Sequence, residues 1–369
     1  MKVLLTATVQ SHICQFHKPL VELLHQNNYE VHIAARNNLA EKNGLKLDFA
    51  DKVYDVPFSR SPKSVDNIRA YKQLKKIVGS GQYDIIHCNT PMGGIVTRLA
   101  ARKARKHGTK VYYTAHGFHF YKGAPKKNWL VFYPIEKFFA RFTDKLITIT
   151  HEDYELAQKK FGCDVFHLHG VGANSSKFYV MAEEEKKELR RTMGIEENTK
   201  VILNIGELLP NKNQKTAIAA MEKVIAKVPN TKLLIAGNGS ERENLEQLIR
   251  EKHLEEYVTL LGYTTQIHNY LNVCDVLVAC SFREGLPLNL MEAMLCRKPI
   301  VASNNRGHRE LIQEGVNGYL VDPRDVNAFA ERICHVLNSD VFREEDILKV
   351  VKPFTDKSVR EELEILYKL

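Results

Sequence analysis

Twice along its 369 residues the chain repeats one alternation: a short β-branched or aliphatic run, an amphipathic stretch, then another run. The first series holds Val3–Leu5, Val31–Ala34, Ile85–Cys88, Val111–Thr114 and Leu146–Thr150, separated by stretches such as Phe16–Asn27, Val65–Val78 and Ile95–Lys106. After residue 180 the pattern restarts. Strands are expected at Val201–Ile205, Lys232–Ala236, Val258–Leu261, Asp275–Ala279, Pro299–Ser303 and Tyr319–Val321, with helices at Gln214–Lys227, Arg242–Lys252, Leu288–Leu295 and Val326–Leu337. Such alternation implies an α/β fold, parallel sheets with helices on both faces. The length suffices for two domains, and Gly170-Val171-Gly172-Ala173-Asn174 suits a hinge between them. Ligands of open α/β sheets bind at the carboxyl ends of the strands, so two such domains are expected to share a crevice there.

Charge is divided unevenly. Residues 1–180 hold 27 Lys and Arg against 14 Asp and Glu, a net +13, whereas residues 181–369 hold 26 against 30, a net −4. A basic first half suits nucleic acid, an anionic lipid surface or an anionic substrate, or only a solvated surface. No DNA- or RNA-binding motif is found, so no nucleic-acid partner is expected. The seven cysteines form no CxxC pair, which argues against a zinc site or a disulfide framework and fits a reducing cytoplasm. No apolar run approaches the roughly 20 residues of a spanning helix, and no secretory signal is visible.

The segment Ser281-Phe282-Arg283-Glu284-Gly285-Leu286-Pro287-Leu288-Asn289-Leu290-Met291-Glu292 carries the most chemistry. It follows a predicted strand and opens a predicted helix. Gly285 permits a tight turn, and Pro287 suits the first helical turn. Free N–H groups at that helix start suit a phosphate. Glu284 before the helix and Glu292 two turns into it could meet a sugar and a ribose.

Glu284 and Glu292 match the E-x7-E pattern of retaining GT-B glycosyltransferases, and nearly the whole chain resembles glycosyltransferase family 4. Thr6-Ala7-Thr8-Val9-Gln10-Ser11-His12 and Thr114-Ala115-His116-Gly117-Phe118-His119-Phe120 narrow the resemblance to bacterial capsular and exopolysaccharide transferases. The resemblance implies a GT-B fold, two Rossmann-like domains facing across a cleft. Residues 1–173 would take the acceptor and 174–353 the nucleotide-sugar donor, with a helix near 354–369 packing back on the first domain. It also implies that no metal or other cofactor is needed, and no Asp-x-Asp stands at a strand end.

By the same resemblance Lys212 neutralises the departing diphosphate, while Glu284 and His116 contact the sugar. Donor contacts fall to Gly206, Gly237, Gly262, Tyr263, Thr264, Gly285, Leu286, Pro287, Leu288 and Glu292. Gln10 and His12, placed in the first strand-to-helix loop, line the acceptor site or serve the loop alone. His87 and Asn89, at another strand end, face the cleft or pack. One departure stands out: many relatives carry Arg where this chain has Glu207, and a carboxylate cannot take over phosphate binding.

The expected activity is retaining transfer from a nucleotide sugar, a UDP-linked hexose or N-acetylhexosamine by family habit. The acceptor is an oligosaccharide or an undecaprenyl-diphosphate-linked sugar. Two alternatives stay open on the same fold: a non-catalytic binding subunit, motivated by Glu207, and a nucleotide-sugar isomerase. The basic stretch Arg98–Lys110 and Lys122, Lys126 and Lys127 flank Trp129–Tyr133. That pattern suits peripheral attachment to the cytoplasmic face of the membrane, with Trp129 and Phe132 entering the interface, or else a core helix with a solvated face.

Overall fold

The computed structural model describes residues 1–41, 44–339 and 341–369. They form two compact units, Met1–Val171 with Val359–Leu369, and Gly172–Ser358.

The first unit is built on a seven-stranded sheet of β1 (Lys2–Val9), β2 (Glu30–Arg36), β3 (Lys52–Asp55), β4 (Ile85–Asn89), β5 (Lys110–Ala115), β6 (Lys145–Thr148) and β7 (Asp164–His167). Its order is β3-β2-β1-β4-β5-β6-β7, and every pairing is parallel. Strands β1 and β4 are buried along almost their whole length, which is why they read as apolar runs rather than as alternation. One face is covered by the helix Lys18–Gln26 and the last helix, Asp356–Tyr367, whose Val359, Leu363, Leu366 and Tyr367 join the core of Val3, Leu5 and Ile33. On the other face Leu74, Ile77, Val78, Val96 and Ala100 pack against Leu4, Ile86 and Val111.

The second unit carries a six-stranded parallel sheet of β8 (Lys200–Ile205), β9 (Thr231–Ala236), β10 (Val258–Gly262), β11 (Val276–Ala279), β12 (Ile300–Ser303) and β13 (Gly318–Val321). Its order is β10-β9-β8-β11-β12-β13. In both sheets strand order reverses direction once, between β1 and β4 and between β8 and β11. Those reversals fix where loops diverge and leave room at the carboxyl ends.

Some elements differ from the sequence expectation. The amphipathic stretch Phe16–Asn27 holds the helix Lys18–Gln26, and an unforeseen helix, Gln10–Phe16, precedes it, the two broken at His17 ahead of Pro19. A proline at the second helical position suits a helix start rather than an interior. Strand β1 runs to Val9 because Thr6 and Thr8 hold it extended: Thr6 Oγ1 lies 2.8 Å from Thr97 Oγ1, and Thr8 Oγ1 2.7 Å from Thr90 Oγ1. Gln10 and His12 therefore sit on a helix, not in a loop. Edge strands β3 and β7, with mixed and partly exposed sequences, carried no apolar run to announce them.

Candidate active site

In the second unit the reversal between β8 and β11 sets two loops side by side. The loop after β8 is closed by Asn213, a left-handed residue (φ 54°) whose amide donates to the carbonyls of Cys280 (3.1 Å) and Pro323 (2.9 Å). Asn tolerates that backbone region because its short polar side chain can bond locally. Asn211 Nδ2 donates to the carbonyl of Arg283 (2.9 Å), and the Phe282 amide donates to that of Asn211 (2.8 Å). Pinned in this way, Lys212 meets Glu284: Nζ to Oε1 is 2.7 Å, with both side chains largely buried.

Beside the pair the backbone is bare. The Lys212 stem lies over Gly206, where a Cβ would stand 3.5 Å from its Cδ. Gly237 has φ 149°, and a Cβ there would fall 1.9 Å from the Gly206 carbonyl, so no other residue fits. The Gly237 amide in turn donates to the carbonyl of Gly262 (2.8 Å). Tyr263 is exposed, and Thr264 Oγ1 accepts from the Gln266 amide.

The helix Leu288–Leu295 begins at Pro287, with no side chain capping its first N–H groups. Asn289 Nδ2 ties this start to the Ile205 carbonyl (2.9 Å). The backbone at Gly285 is not left-handed. The close approach falls instead on Gly307, whose Cβ would stand 2.5 Å from the Gly285 carbonyl. Behind it, buried His308 has its Nδ1 2.7 Å from the Ser303 carbonyl, and burial pushes its pKa down to about 4. Leu286 and Leu288 pack against the core of the unit.

The Glu292 carboxylate makes no hydrogen bond with any described residue, while its backbone carbonyl accepts from the Cys296 amide (3.2 Å). Burial raises its carboxyl to about 7, only partly offset by the charge of Lys177. Glu207 is exposed, and the loop uses its backbone: the carbonyl accepts from Gln214 Nε2 (3.0 Å).

In the first unit the strand ends beside the other reversal gather histidines. His116 follows β5. Its loop is anchored by Asp153, which accepts from the Phe118 amide (3.0 Å), while Phe118 and Phe120 stack 4.7 Å apart in the core. His116 Nε2 lies 3.2 Å from both His12 Nε2 and Asn89 Oδ1. Burial lowers His116 to about 4, and burial with His116 beside it holds His12 well below the usual imidazole range.

His87 is a packing residue, bonded to Tyr367 Oη (2.6 Å) and Thr114 Oγ1 (2.7 Å). Gln10 is buried, with its amide 3.5 Å from the Ala35 carbonyl. The structure thus groups Lys212, Glu284, the glycines and Glu292 in one unit, and His116, His12 and Asn89 in the other. Sequence reasoning missed His17, Asn211, Asn213 and the turn Asn305-Arg306-Gly307-His308. The last two could have been suspected, since polar residues and Gly directly follow strands β8 and β12.

The basic stretch is less available than its composition suggested. Arg98 is buried, bonding Glu136 Oε2 at 3.0 Å, and Arg105 holds Asp144 through two bonds of 3.0 and 3.1 Å. Trp129 turns inward onto Phe120 and Tyr133, its Nε1 3.3 Å from the Tyr121 carbonyl. The exposed apolar residues of the helix Lys126–Ala140 are Leu130, Val131, Phe132, Ile135 and Phe138. Among the described residues, no helix is long and apolar enough to cross a membrane.

Comparison with known proteins agrees with this architecture. Residues 185–347 match the family described as glycosyl transferases group 1, and residues 2–150 match the glycosyl transferase 4-like family. The chain is 42% identical over 334 residues to the protein named "Putative glycosyltransferase EpsD" in Bacillus subtilis (strain 168), covering 90% of this chain and 86% of that one. It is 28% identical over 331 residues to the UDP-Gal:alpha-D-GlcNAc-diphosphoundecaprenol alpha-1,3-galactosyltransferase of Escherichia coli, covering 87% and 83%. The crystal structure of Anabaena HepE in complex with UDP and glucose matches the whole of both chains, with a TM-score of 0.77 at 20% identity. That likeness shows the fold, which is GT-B.

Proposed function

Because the chain belongs to the group 1 glycosyl transferases, and so is a glycosyltransferase, we propose that it moves a sugar from a UDP-linked donor to a lipid-linked or oligosaccharide acceptor, with retention at the anomeric carbon. The observation that carries this reading is the Lys212–Glu284 pair at the β8/β11 reversal, beside bare glycine backbone and an uncapped helix start. A nucleoside diphosphate needs those parts: a cation, close backbone approach and free N–H groups. Glu292 is assigned to the ribose hydroxyls, and the backbone of Gly262, Tyr263 and Thr264 to the base.

The step follows from the residues. The bond from C1 of the sugar to the diphosphate breaks, and a bond to the acceptor oxygen forms on the same face. The acceptor's proton passes to the departing phosphate. Lys212 neutralises charge developing on that phosphate, which lowers the barrier because the charge is largest in the transition state. Glu284 orients Lys212 and contacts the sugar hydroxyls. His116, neutral at pH 7, is assigned a hydrogen bond to the sugar. With Lys212 and the uncapped helix start assigned to the diphosphate, this reading includes no catalytic metal.

The donor and acceptor classes draw support from relatives. The E. coli protein is named for a UDP-galactose donor and a diphosphoundecaprenol-linked acceptor, and HepE was solved with UDP and glucose. A role in surface polysaccharide assembly at the cytoplasmic face of the membrane fits these names. It fits also the exposed apolar face of Lys126–Ala140, rimmed by exposed Lys126, Lys127, Lys137 and Arg141.

The test is a thermal-shift screen of nucleotide sugars on the purified chain, followed by turnover with the stabilising donor in EDTA. A ligand that binds only the folded state raises its melting point. Transfer to an acceptor by the chain alone would exclude a regulatory subunit and an isomerase. Absence of stabilisation by any UDP-sugar would overturn the donor assignment, and activity restored only by Mg²⁺ or Mn²⁺ would overturn the metal-free step.

A further inference from the structure

His12, His17 and His116 each direct one ring nitrogen into a common point of the first unit, all three within 4.8 Å of one another. His12 Nε2 and His116 Nε2 are already 3.2 Å apart. Two nitrogens bound to one tetrahedral zinc at about 2.0–2.1 Å stand roughly 3.3 Å apart. The third nitrogen then has at most on the order of 1.5 Å to close, within the reach of a small imidazole rotation.

His17 adds an independent sign. It is 6% exposed, and its Nε2 is buried with no hydrogen-bond partner among the described residues. A buried polar atom left in that state calls for a ligand. His17 occupies the break between the helices Gln10–Phe16 and Lys18–Gln26, so the same local geometry that divides the helices turns this ring inward. Phe16 walls the group, its ring 4.9 Å from that of His12.

We propose that His12, His17 and His116 form a binding site for a transition-metal dication, zinc foremost, with three imidazole ligands and one open position. Imidazole donors without a carboxylate select zinc, copper, nickel or cobalt over magnesium and calcium. A metal held by His116 Nε2 would require that nitrogen to be unprotonated, with Asn89 Oδ1, now 3.2 Å away, close by.

The site shares His116 with the transfer step, so an ion bound here would take from the sugar the ring assigned to it. Zinc here is a ligand of the acceptor-side unit, not a requirement of catalysis.

The experiment uses the full chain without a polyhistidine tag, stripped with EDTA and desalted. Zinc sulfate is titrated by calorimetry, and cobalt chloride is followed by its visible absorption, which is intense for four-coordinate cobalt. One zinc per chain is expected, with the cobalt bands displaced by zinc. His17→Ala and His12→Ala should each weaken binding by about tenfold or more, while His253→Ala on the exposed surface leaves it unchanged. His12 is only half-buried, so its variant keeps the fold and the test stands even if His17→Ala unfolds. No zinc or cobalt binding, or binding that survives His12→Ala unchanged, would overturn the site.

Discussion

Lys212 Nζ stands 2.7 Å from Glu284 Oε1 although 72 residues separate them in sequence. The two lie on the loops that follow neighbouring strands, β8 and β11, and the pair exists because strand order reverses there. Neither side chain is anchored by the pair alone, since Asn211 bridges the two loops through the Arg283 carbonyl.

Lys212→Ala should lower kcat by about 10²-fold or more with donor binding less affected, because the lost charge acts chiefly on the transition state. The pair is partly solvated, so its loss should cost no more than about 1 kcal/mol of stability. Steady-state kinetics with the donor identified by thermal shift check the first, and a melting curve the second. Near-normal turnover would remove Lys212 from the mechanism.

Glu292 carries a pH dependence of definite sign. Its folded pKa of about 7 lies above the ordinary 4.5, through burial. Below pH 4.5 both states are protonated and nothing is lost. As pH rises to 7 the unfolded carboxyl ionises first, so stability falls, and above 7 the full penalty remains. Glu292→Gln should therefore raise stability at pH 8 by about 1–3 kcal/mol and change little at pH 4.5. The same variant should bind donor more weakly. Urea unfolding at the two pH values checks the sign, and equal effects at both would contradict the assigned ionisation.

The buried pair Arg98–Glu136 ties the helix Pro91–Ala100 to the helix Lys126–Ala140. Tyr113 also donates to Glu136 (3.0 Å), and the Arg98 guanidinium lies 3.9 Å from the Tyr113 ring centroid. Glu136→Ala leaves a buried cation uncompensated and should destabilise by about 3–5 kcal/mol. Denaturant unfolding measures this. A change under about 1 kcal/mol would mean that water reaches Arg98.

Membrane attachment is expected through Leu130, Phe132 and Phe138, with Lys126, Lys127 and Lys137 as the anionic-lipid contacts. Replacing the three apolar residues by Ser should abolish most pelleting with anionic vesicles. Replacing the three lysines by Gln should remove the preference for anionic over neutral vesicles and its decline with salt. Co-sedimentation at low and high salt reads both. Equal weak binding of the parent chain to both vesicles would reject attachment.

The strand runs and the Glu284–Glu292 spacing were legible in sequence because buried parallel strands are apolar throughout and because a turn chemistry of Glu-Gly-Leu-Pro is local. The Lys212–Glu284 contact was legible only as two loops, since the contact itself depends on strand order. Arg98 misled for the opposite reason. It sits in a run of cations, yet its partner Glu136 is 38 residues away and no local pattern announces a buried ion pair. Trp129 likewise turned inward, because its helix has two apolar faces and composition does not say which one packs. His17 was invisible in the sequence, a lone histidine ahead of Lys18 and Pro19; only its buried Nε2, without a hydrogen-bond partner among the described residues, marks it.

The last helix changes the order in which this protein can be completed. Residues Val359–Leu369 belong to the first unit, and Tyr367 is hydrogen-bonded to His87 on β4. They leave the ribosome only after the whole second unit, residues 172–358, has been made. Until then one face of the first sheet lacks Leu363, Leu366 and Tyr367, and its core is open on that side. The unit begun first is therefore finished last. Nascent chains halted before residue 359 should carry a folded second unit beside a first unit that still exposes its sheet to chaperones and proteases.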